Sequence, residues 1–436
     1  MMRSMHSVIS SLRNHQMKMD VIGNNIANVN TYGFKKGRVI FKDTLYQTMR
    51  TGSAPQDNRG GTNQMAIGLG MDVGAVDTIV TPGSSQGTGK NTDLCINGNG
   101  YFMVKAADEV FYTRAGAFDF DKSGNFFAAG NGALVLGWVA DPENNWIIDT
   151  ESSKTNPQPI NIGRLRTLSA QASTMMKFAG NLDFATDLSD PAADEIHPVI
   201  TSKDVMDSRG ETHTISFRFI KLAEASGSTT WQYKISYNDM DFDDDAATDP
   251  EGILTFDPHG KLAEITPDGG TATTGPINIS IPLTNGAEDL SLDIDFSDLT
   301  EYDGASSAWV EECDGYRAGE LKNISIDPNG IVKGIYSNEI SRDLAQIALA
   351  TFQNPAGLTN KGESLYQESS NSGDARIGFP GEDDRGVLIP ASLEMSNVDL
   401  SEEFVDMITT QRGFQASSRI ITTSDEMLQE LVNLKR

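Results

Sequence analysis

The side chains that could carry catalysis or bind metal are few and poorly placed for either. GSSQG at residues 83 to 87 has the form GxSxG, in which a serine raised on a strained strand-to-helix turn acts as a nucleophile. Its surroundings, TPGSSQGTGK, read as loop, with no helix entrance to expose the hydroxyl. The same stretch falls short of a phosphate-binding loop, because Ser84 stands where the first glycine belongs and Asn91 follows Lys90 where Ser or Thr is required. DFDKSG, from Asp119 to Gly124, opens like a calcium loop but reaches Gly130 at the twelfth position, where a bidentate acid is needed; a hairpin turn is the expectation. The run DMDFDDD offers Asp239, Asp241, Asp243, Asp244 and Asp245 for weak Ca²⁺ binding, with a solvated loop as the plainer reading. Histidines at 6, 15, 197, 213 and 259 form no HExxH and no helical pair beside a glutamate. Cys95 and Cys313 belong to no CxxC pair, so neither a zinc site nor a disulfide framework is indicated. No acid, base and nucleophile stand together, and the expectation is a protein that is not an enzyme and needs no cofactor or metal.

The stretch that asks for another kind of chemistry is NNIANVNTYGFKK, residues 24 to 36. Asparagine is a poor helix-interior residue because its amide competes for backbone hydrogen bonds, yet a helical pattern runs straight into this segment. Asn24, Asn25, Ala27, Asn28, Asn30, Thr31, Gly33, Phe34 and Lys35 are therefore candidates for a turn that ends the helix, satisfies its freed backbone groups and contacts neighbours. Gly33 is expected at a positive φ or at a close contact.

The elements that would position this turn follow from periodicity. Met5, Leu12, Met19 and Ile26 recur every seven residues, with Met1, Val8 and Ile22 on the companion row, which His15 interrupts. Leu400, Met407, Phe414, Ile421 and Leu428 repeat the device at the other end, supported by Ile420, Met427 and Leu434. Such a/d seams keep one helix face against a partner helix, and the two ends are expected to pair as a coiled coil that leaves amides and hydroxyls outside. Between them the period becomes two. Ile215, Phe217 and Phe219 share a face, as do Trp231, Tyr233, Ile235 and Tyr237, and Leu290, Leu292, Ile294 and Phe296. Asp257-Pro258-His259-Gly260 and Asp327-Pro328-Asn329-Gly330 supply turns.

Charge divides the chain of 436 residues, whose net charge is −27. Residues 1 to 50 hold eight basic against two acidic side chains, and residues 181 to 310 hold six basic against 26 acidic, which describes a strongly solvated middle. Nucleic acid is not an expected partner, since phosphate binding needs a basic face. No run of 18 apolar residues exists to insert in a membrane, and His6, Arg13 and Asn14 break any signal-peptide core, so export by a cleavable Sec signal is not expected. The fold class expected is mixed, mainly β with terminal α. Paired helices and their linker occupy 1–60 and 391–436, a discontinuous inner β domain 61–149 and 311–390, and an inserted, acidic, antiparallel β sandwich or barrel 150–310.

Read together, four motifs resemble the rod and hook family of bacterial flagella. They are DVIGNNIANVNTYGFKK; GGTNQMAIGLGMDVGAVDTIVTPGSSQGTG; TDLCINGNGYFMV with YTRAGAFDFDKSGNFF; and LEMSNVDLSEEFVDMITTQRGFQASSRIITTSDEMLQELVNLKR. They occur in family order over roughly residues 1 to 140 and 310 to 436, and no family motif is legible over 150 to 310. The resemblance, closest to the family's hook members, implies an extracellular subunit of the hook and basal body that assembles with copies of itself into a curved tube transmitting torque. It implies rod proteins, a hook cap protein, hook–filament junction proteins and the flagellar type III export apparatus as partners. It does not carry over a covalent cysteine–lysine link of the kind found in some spirochaete members, because Cys95 and Cys313 are not in the corresponding outer part. The alternatives are a distal-rod or junction subunit and, in another class, a secreted β-rich adhesin or glycan-binding protein.

Overall fold

The computed structural model describes residues 2–55, 59–142, 146–148, 156–188, 198–225, 228–237, 251–268, 270–281, 283 and 286–434. The acidic run at Asp239, Asp241 and Asp243 to Asp245 lies outside the described residues, as do His197 and Met1. The chain is mainly β, with one long helix at each end: α1, Met2–Ala27, and α2, Leu400–Asn433. It divides into two compact units. The first comprises residues 1–165, 323–335 and 341–436, and the second residues 166–322 and 336–340.

In the first unit, segments from the two flanks of the sequence pair directly. Leu94–Asn97 lies antiparallel to Val387–Pro390, and Ser85–Gly87 to Ser392–Glu394. GSSQG thus ends in a strand, and no helix follows it. The strand Tyr101–Ala106 is central: Glu109–Thr113, Leu134–Val139 and Leu349–Thr351 all bond to it. Its residues Tyr101 to Val104 are buried, and Phe102 meets Phe118 edge-on at 5.0 Å between ring centroids. Two ribbons of two strands each leave this body: Gly37–Asp43 with Met71–Thr78, and Tyr46–Arg50 with Met65–Gly68.

The second unit is two sheets over one core. Val199–Met206, Thr212–Ala225, Ser228–Tyr237, Glu251–Phe256 and Leu262–Pro267 form an antiparallel meander. The other sheet runs Ile277–Ile281, Leu290–Tyr302, Met175–Asp183, Trp309–Cys313. Phe178 packs against Phe217 and Phe296 at 4.6 and 4.9 Å, and the three alternating runs singled out above place Phe217, Phe219, Trp231, Tyr233, Leu292 and Phe296 fully inside. One pair departs from the antiparallel expectation: Met175–Asp183 runs parallel to Leu290–Tyr302. A parallel pair needs a long crossover, and the whole meander between them provides it.

Among the described residues one turn recurs at Asp121, Asp207, Asp257 and Asp327, each in the pattern Asp-x-x-Gly-x. In each, the glycine N–H bonds to the aspartate carbonyl and the aspartate N–H to the carbonyl four residues on. Gly124, Gly210, Gly260 and Gly330 all have φ between 73° and 86°. The carboxylate accepts the amide four residues on, at 2.8 Å from Asn125, Glu211 and Lys261 and 3.2 Å from Ile331. DFDKSG accordingly folds as a hairpin turn.

Candidate assembly site at the helix pair and its turn

The two helices pack antiparallel. Ser11 and Ser417 hydroxyls lie 3.2 Å apart, Lys18 pairs with Asp406 at 3.1 Å, and the Asn25 amide donates to Glu403 at 3.2 Å. α2 is capped by Asp399, whose carboxylate accepts the Ser401 amide at 2.8 Å, and Glu402 and Glu403 sit favourably in its first turn. On α1, Val8 and Ile22 are buried, and Met5, Leu12, Met19 and Ile26 are half-buried.

On α2 the seam is shifted from the one the apolar periodicity predicts. The buried row is Glu403, Thr410, Ser417 and Ser424, again spaced by seven. Met407, Phe414, Ile421 and Leu428 flank it half-buried, and Leu400 is exposed. The supporting residues Ile420, Met427 and Leu434 lie outside, with Phe404, Val405 and Ile408, each at least half exposed, on the outer side as well. The expectation of hydroxyls left outside holds for Ser401, Thr409, Ser418, Thr422 and Thr423, which are exposed, and fails for Thr410, Ser417 and Ser424, for a steric reason. Small Ser and Thr let the helix axes approach, and their hydroxyls are satisfied within the helix, Thr410 on the Asp406 carbonyl at 2.6 Å and Ser424 on that of Ile420 at 2.7 Å. The bulkier apolar residues then have no room on that line.

The turn at the end of α1 uses its amides in different ways. Asn28 donates its side-chain amide back to the Asn24 carbonyl at 2.9 Å and accepts the Thr31 hydroxyl at 3.1 Å, which closes the last turn locally. Buried Asn25 reaches outward instead. Its amide pairs both ways with the Gly37 backbone, each bond 2.9 Å, and also touches Glu403, so one side chain ties α1, α2 and the first ribbon. Gly33 has φ +69°, its N–H bonds to the Glu394 carbonyl at 2.8 Å, and a Cβ there would lie 2.6 Å from the Ala115 nitrogen. Phe34 is half-buried, and Ala27, Asn24 and Asn30 are exposed.

Beneath the turn lies an ionic cluster that the spacing of residues did not announce. The Lys35 ammonium pairs with the Glu394 carboxylate and donates to the Thr81 carbonyl at 2.9 Å. Arg114 reaches the same carboxylate at 3.4 Å, and the Gly83 backbone amide donates to that carboxylate at 2.9 Å. All three ionised side chains are at most 2% exposed. Burial, partly offset by Glu394, holds the Lys35 ammonium below its ordinary value. Cys95 nearby is buried, and its thiol is pushed up to about 11 by burial and then by Glu394, which makes it a packing residue and not a nucleophile. Asn397 completes the junction by accepting the Lys36 amide at 2.8 Å and donating to the Ile79 carbonyl at 2.9 Å. Glu394, Arg114 and Asn397 were missed because they lie far from Lys35 in sequence; the seven-residue polar row on α2 was visible, but apolar periodicity outranked it.

Among the described residues, one group of three ligand-type side chains comes within 4.8 Å: Asp207, Glu211 and His213, in the second unit. Asp207 uses one carboxylate oxygen for its turn and approaches His213 with the other at 3.3 Å, and His213 meets the Tyr237 hydroxyl at 3.2 Å on its far nitrogen. These are the contacts of a hydrogen-bonded structural histidine.

The helices close on each other and leave apolar side chains outside, an arrangement suited to a building block. The family profiles agree: residues 6–35 match the flagella basal body rod protein, 95–166 the D1 domain of flagellar hook protein FlgE/F/G, 181–316 the flagellar basal body protein FlaE D2 domain, and 390–434 the C-terminal segment of the flagellar basal body rod FlgEFG protein. This is the class of flagellar axial structural proteins, and it includes the centre, where no motif was legible. Over the full length of both chains, the protein is 41% identical to flagellar hook protein FlgE of Borreliella burgdorferi and 37% identical to that of Treponema pallidum. It is 33% identical to flagellar hook protein FlgE of Escherichia coli, with 98% of each chain covered. The chain belongs to the flagellar hook protein family, and its function is that of a structural subunit of the hook. The full-length agreement with hook proteins does not favour the rod, junction or adhesin readings.

Proposed function

We propose that this subunit builds a curved tube that bends as it rotates and passes torque from the rod to the filament. In this reading, residues 1–60 and 391–436 form the inner helical layer, 61–149 and 311–390 an inner β domain, and 150–310 an outer acidic domain. The terminal pair acts as a coiled coil whose free faces meet other copies. The observation that carries the proposal is the outer face of α2, where Phe404, Val405 and Ile408 stand at 50%, 60% and 51% exposure on a helix already paired along another face. A contiguous apolar stripe of that kind marks a surface awaiting a partner.

The same reading assigns the rod proteins, a cap protein and junction proteins as neighbours, with delivery by the type III export apparatus. The turn residues Asn25, Gly33 and Lys35 serve as the fixed joint between helices and sheets. The test is negative-stain microscopy of purified protein seeded on hook ends. Curved polymers are expected from the full chain and none from a chain lacking residues 1–30. A truncated chain that polymerised as well as the full one would remove the helices from the mechanism. Gly33→Val should abolish polymer while the second unit melts unchanged.

A further inference from the structure

We propose that Asp207, Glu211 and His213, in the second unit, form a binding site for a divalent transition-metal ion of the zinc class. The proposal goes beyond the structural role of the hook subunit and does not depend on it.

The other turns of the same kind serve as a control within the molecule. Those at Asp121, Asp257 and Asp327 make the same bond from the aspartate carboxylate to the amide four residues on. At that position they carry Asn125, Lys261 and Ile331, and two residues further Phe127, Ala263 and Lys333. The turn therefore needs neither a carboxylate nor an imidazole there. Of the four, only the turn at Asp207 has both, as Glu211 and His213. The core does not call for the imidazole either, because the inward row of that strand continues with the fully buried Ile215, Phe217 and Phe219.

The three side chains each bring a ligand atom within 4.8 Å of the other two. His213 Nε2 and Asp207 Oδ2 lie 3.3 Å apart, on side chains that are 5% and 0% exposed. Two ligands bonded to one tetrahedral zinc ion stand about 3.3 Å from each other, so this pair already has the spacing of one edge of such a site. Without an ion, these atoms hold each other as a structural histidine does. A carboxylate only accepts, so the proton on that edge belongs to Nε2, and the ion takes its place. Asp207 Oδ1 meanwhile accepts the Arg209 and Glu211 amides at 2.9 and 2.8 Å, which fixes the carboxylate. The Tyr237 hydroxyl, 3.2 Å from His213 Nδ1, can donate or accept. It therefore also suits the tautomer that leaves Nε2 for a metal, and it orients the ring from outside the ligand shell. Exposed Glu211 supplies the third ligand from the solvent side, where water completes the set. Two carboxylates balance the double charge of the ion. An imidazole beside them favours zinc-like ions over magnesium or calcium.

The experiment uses the full-length protein, dialysed against a chelator, with Co²⁺ as the visible probe and Zn²⁺ as competitor. One Co²⁺ per chain should develop the strong visible absorption of a four-coordinate ion. Zn²⁺ should bleach it, and Ca²⁺ or Mg²⁺ in large excess should not. His213→Gln should abolish the spectrum. Should that variant fail to fold by circular dichroism, Glu211→Gln decides, since Glu211 is exposed; it should weaken Zn²⁺ binding in calorimetry about tenfold. A pale six-coordinate spectrum, or none, overturns the site. Unchanged Zn²⁺ affinity in Glu211→Gln places the ion elsewhere and overturns it too. Displacement of Co²⁺ by Ca²⁺ as readily as by Zn²⁺ overturns the zinc-class assignment.

Discussion

At the side chain of Glu394, one carboxylate receives Lys35, Arg114 and the Gly83 amide where water does not reach. Replacing it by Gln keeps the shape and removes the charge that two buried cations need. Glu394→Gln should therefore destabilise the first unit by about 3–5 kcal/mol in denaturant unfolding. His15 makes a second, weaker prediction. It packs beside Gly413, where a Cβ would approach its ring to 3.0 Å, and burial followed by the Lys18 charge holds its pKa below 6.5. A depressed folded value means the neutral ring is the one the fold prefers. Its contribution is complete above the unfolded pKa near 6.5 and is lost as pH falls through the folded value. Helix melting followed by circular dichroism should weaken between pH 7 and pH 5, and His15→Gln should flatten that dependence. These residues were partly legible: Lys35 and Gly33 lie in a stretch that misfits helix propensity. Glu394 and Arg114 are ordinary letters until the fold brings them together.

At the scale of elements, α2 separates two roles that periodicity alone merges. Its seven-spaced small polar row faces α1, and its large apolar residues divide between the flanks of that contact and the outside. Thr410→Leu should crowd the helix contact and cost about 1–3 kcal/mol of helix-pair stability, because the axes have no space to give. Phe404→Ser with Ile408→Ser should change monomer melting by no more than about 1 kcal/mol per site and abolish polymer, since both side chains are already half exposed. Equal polymer yield from the double variant would shift the contact surface elsewhere. The existence of both helices and the β strands could be read from period and breakers. Which of two interleaved rows faced inward could not, because a heptad pattern of Ser and Thr carries no transfer energy and wins only through close approach.

For the molecule as a whole, two units with separate interiors predict two transitions. The second unit holds its aromatic core around Phe178, Phe217 and Phe296, and the first holds its own around Tyr101, Trp138 and Tyr366. Phe178→Ala should lower the stability of the second unit by about 3–5 kcal/mol and shift one calorimetric transition, leaving the other in place. A single transition moving as a whole would show that the two interiors unfold together.

By itself the sequence determined the elements and the turns: the period of seven at the ends, the period of two between, and the Asp-x-x-Gly-x turns at residues such as Asp257 and Asp327. These depend on neighbours a few residues away, so local stereochemistry and hydrophobic pattern are enough to specify them. Only the tertiary structure decided the parallel pairing of Met175–Asp183 with Leu290–Tyr302, the polar seam of α2, and the meeting of Lys35 with Arg114 and Glu394. Each of these joins residues far apart along the chain, and its energy comes from packing distance and desolvation that exist only once the chain has closed on itself.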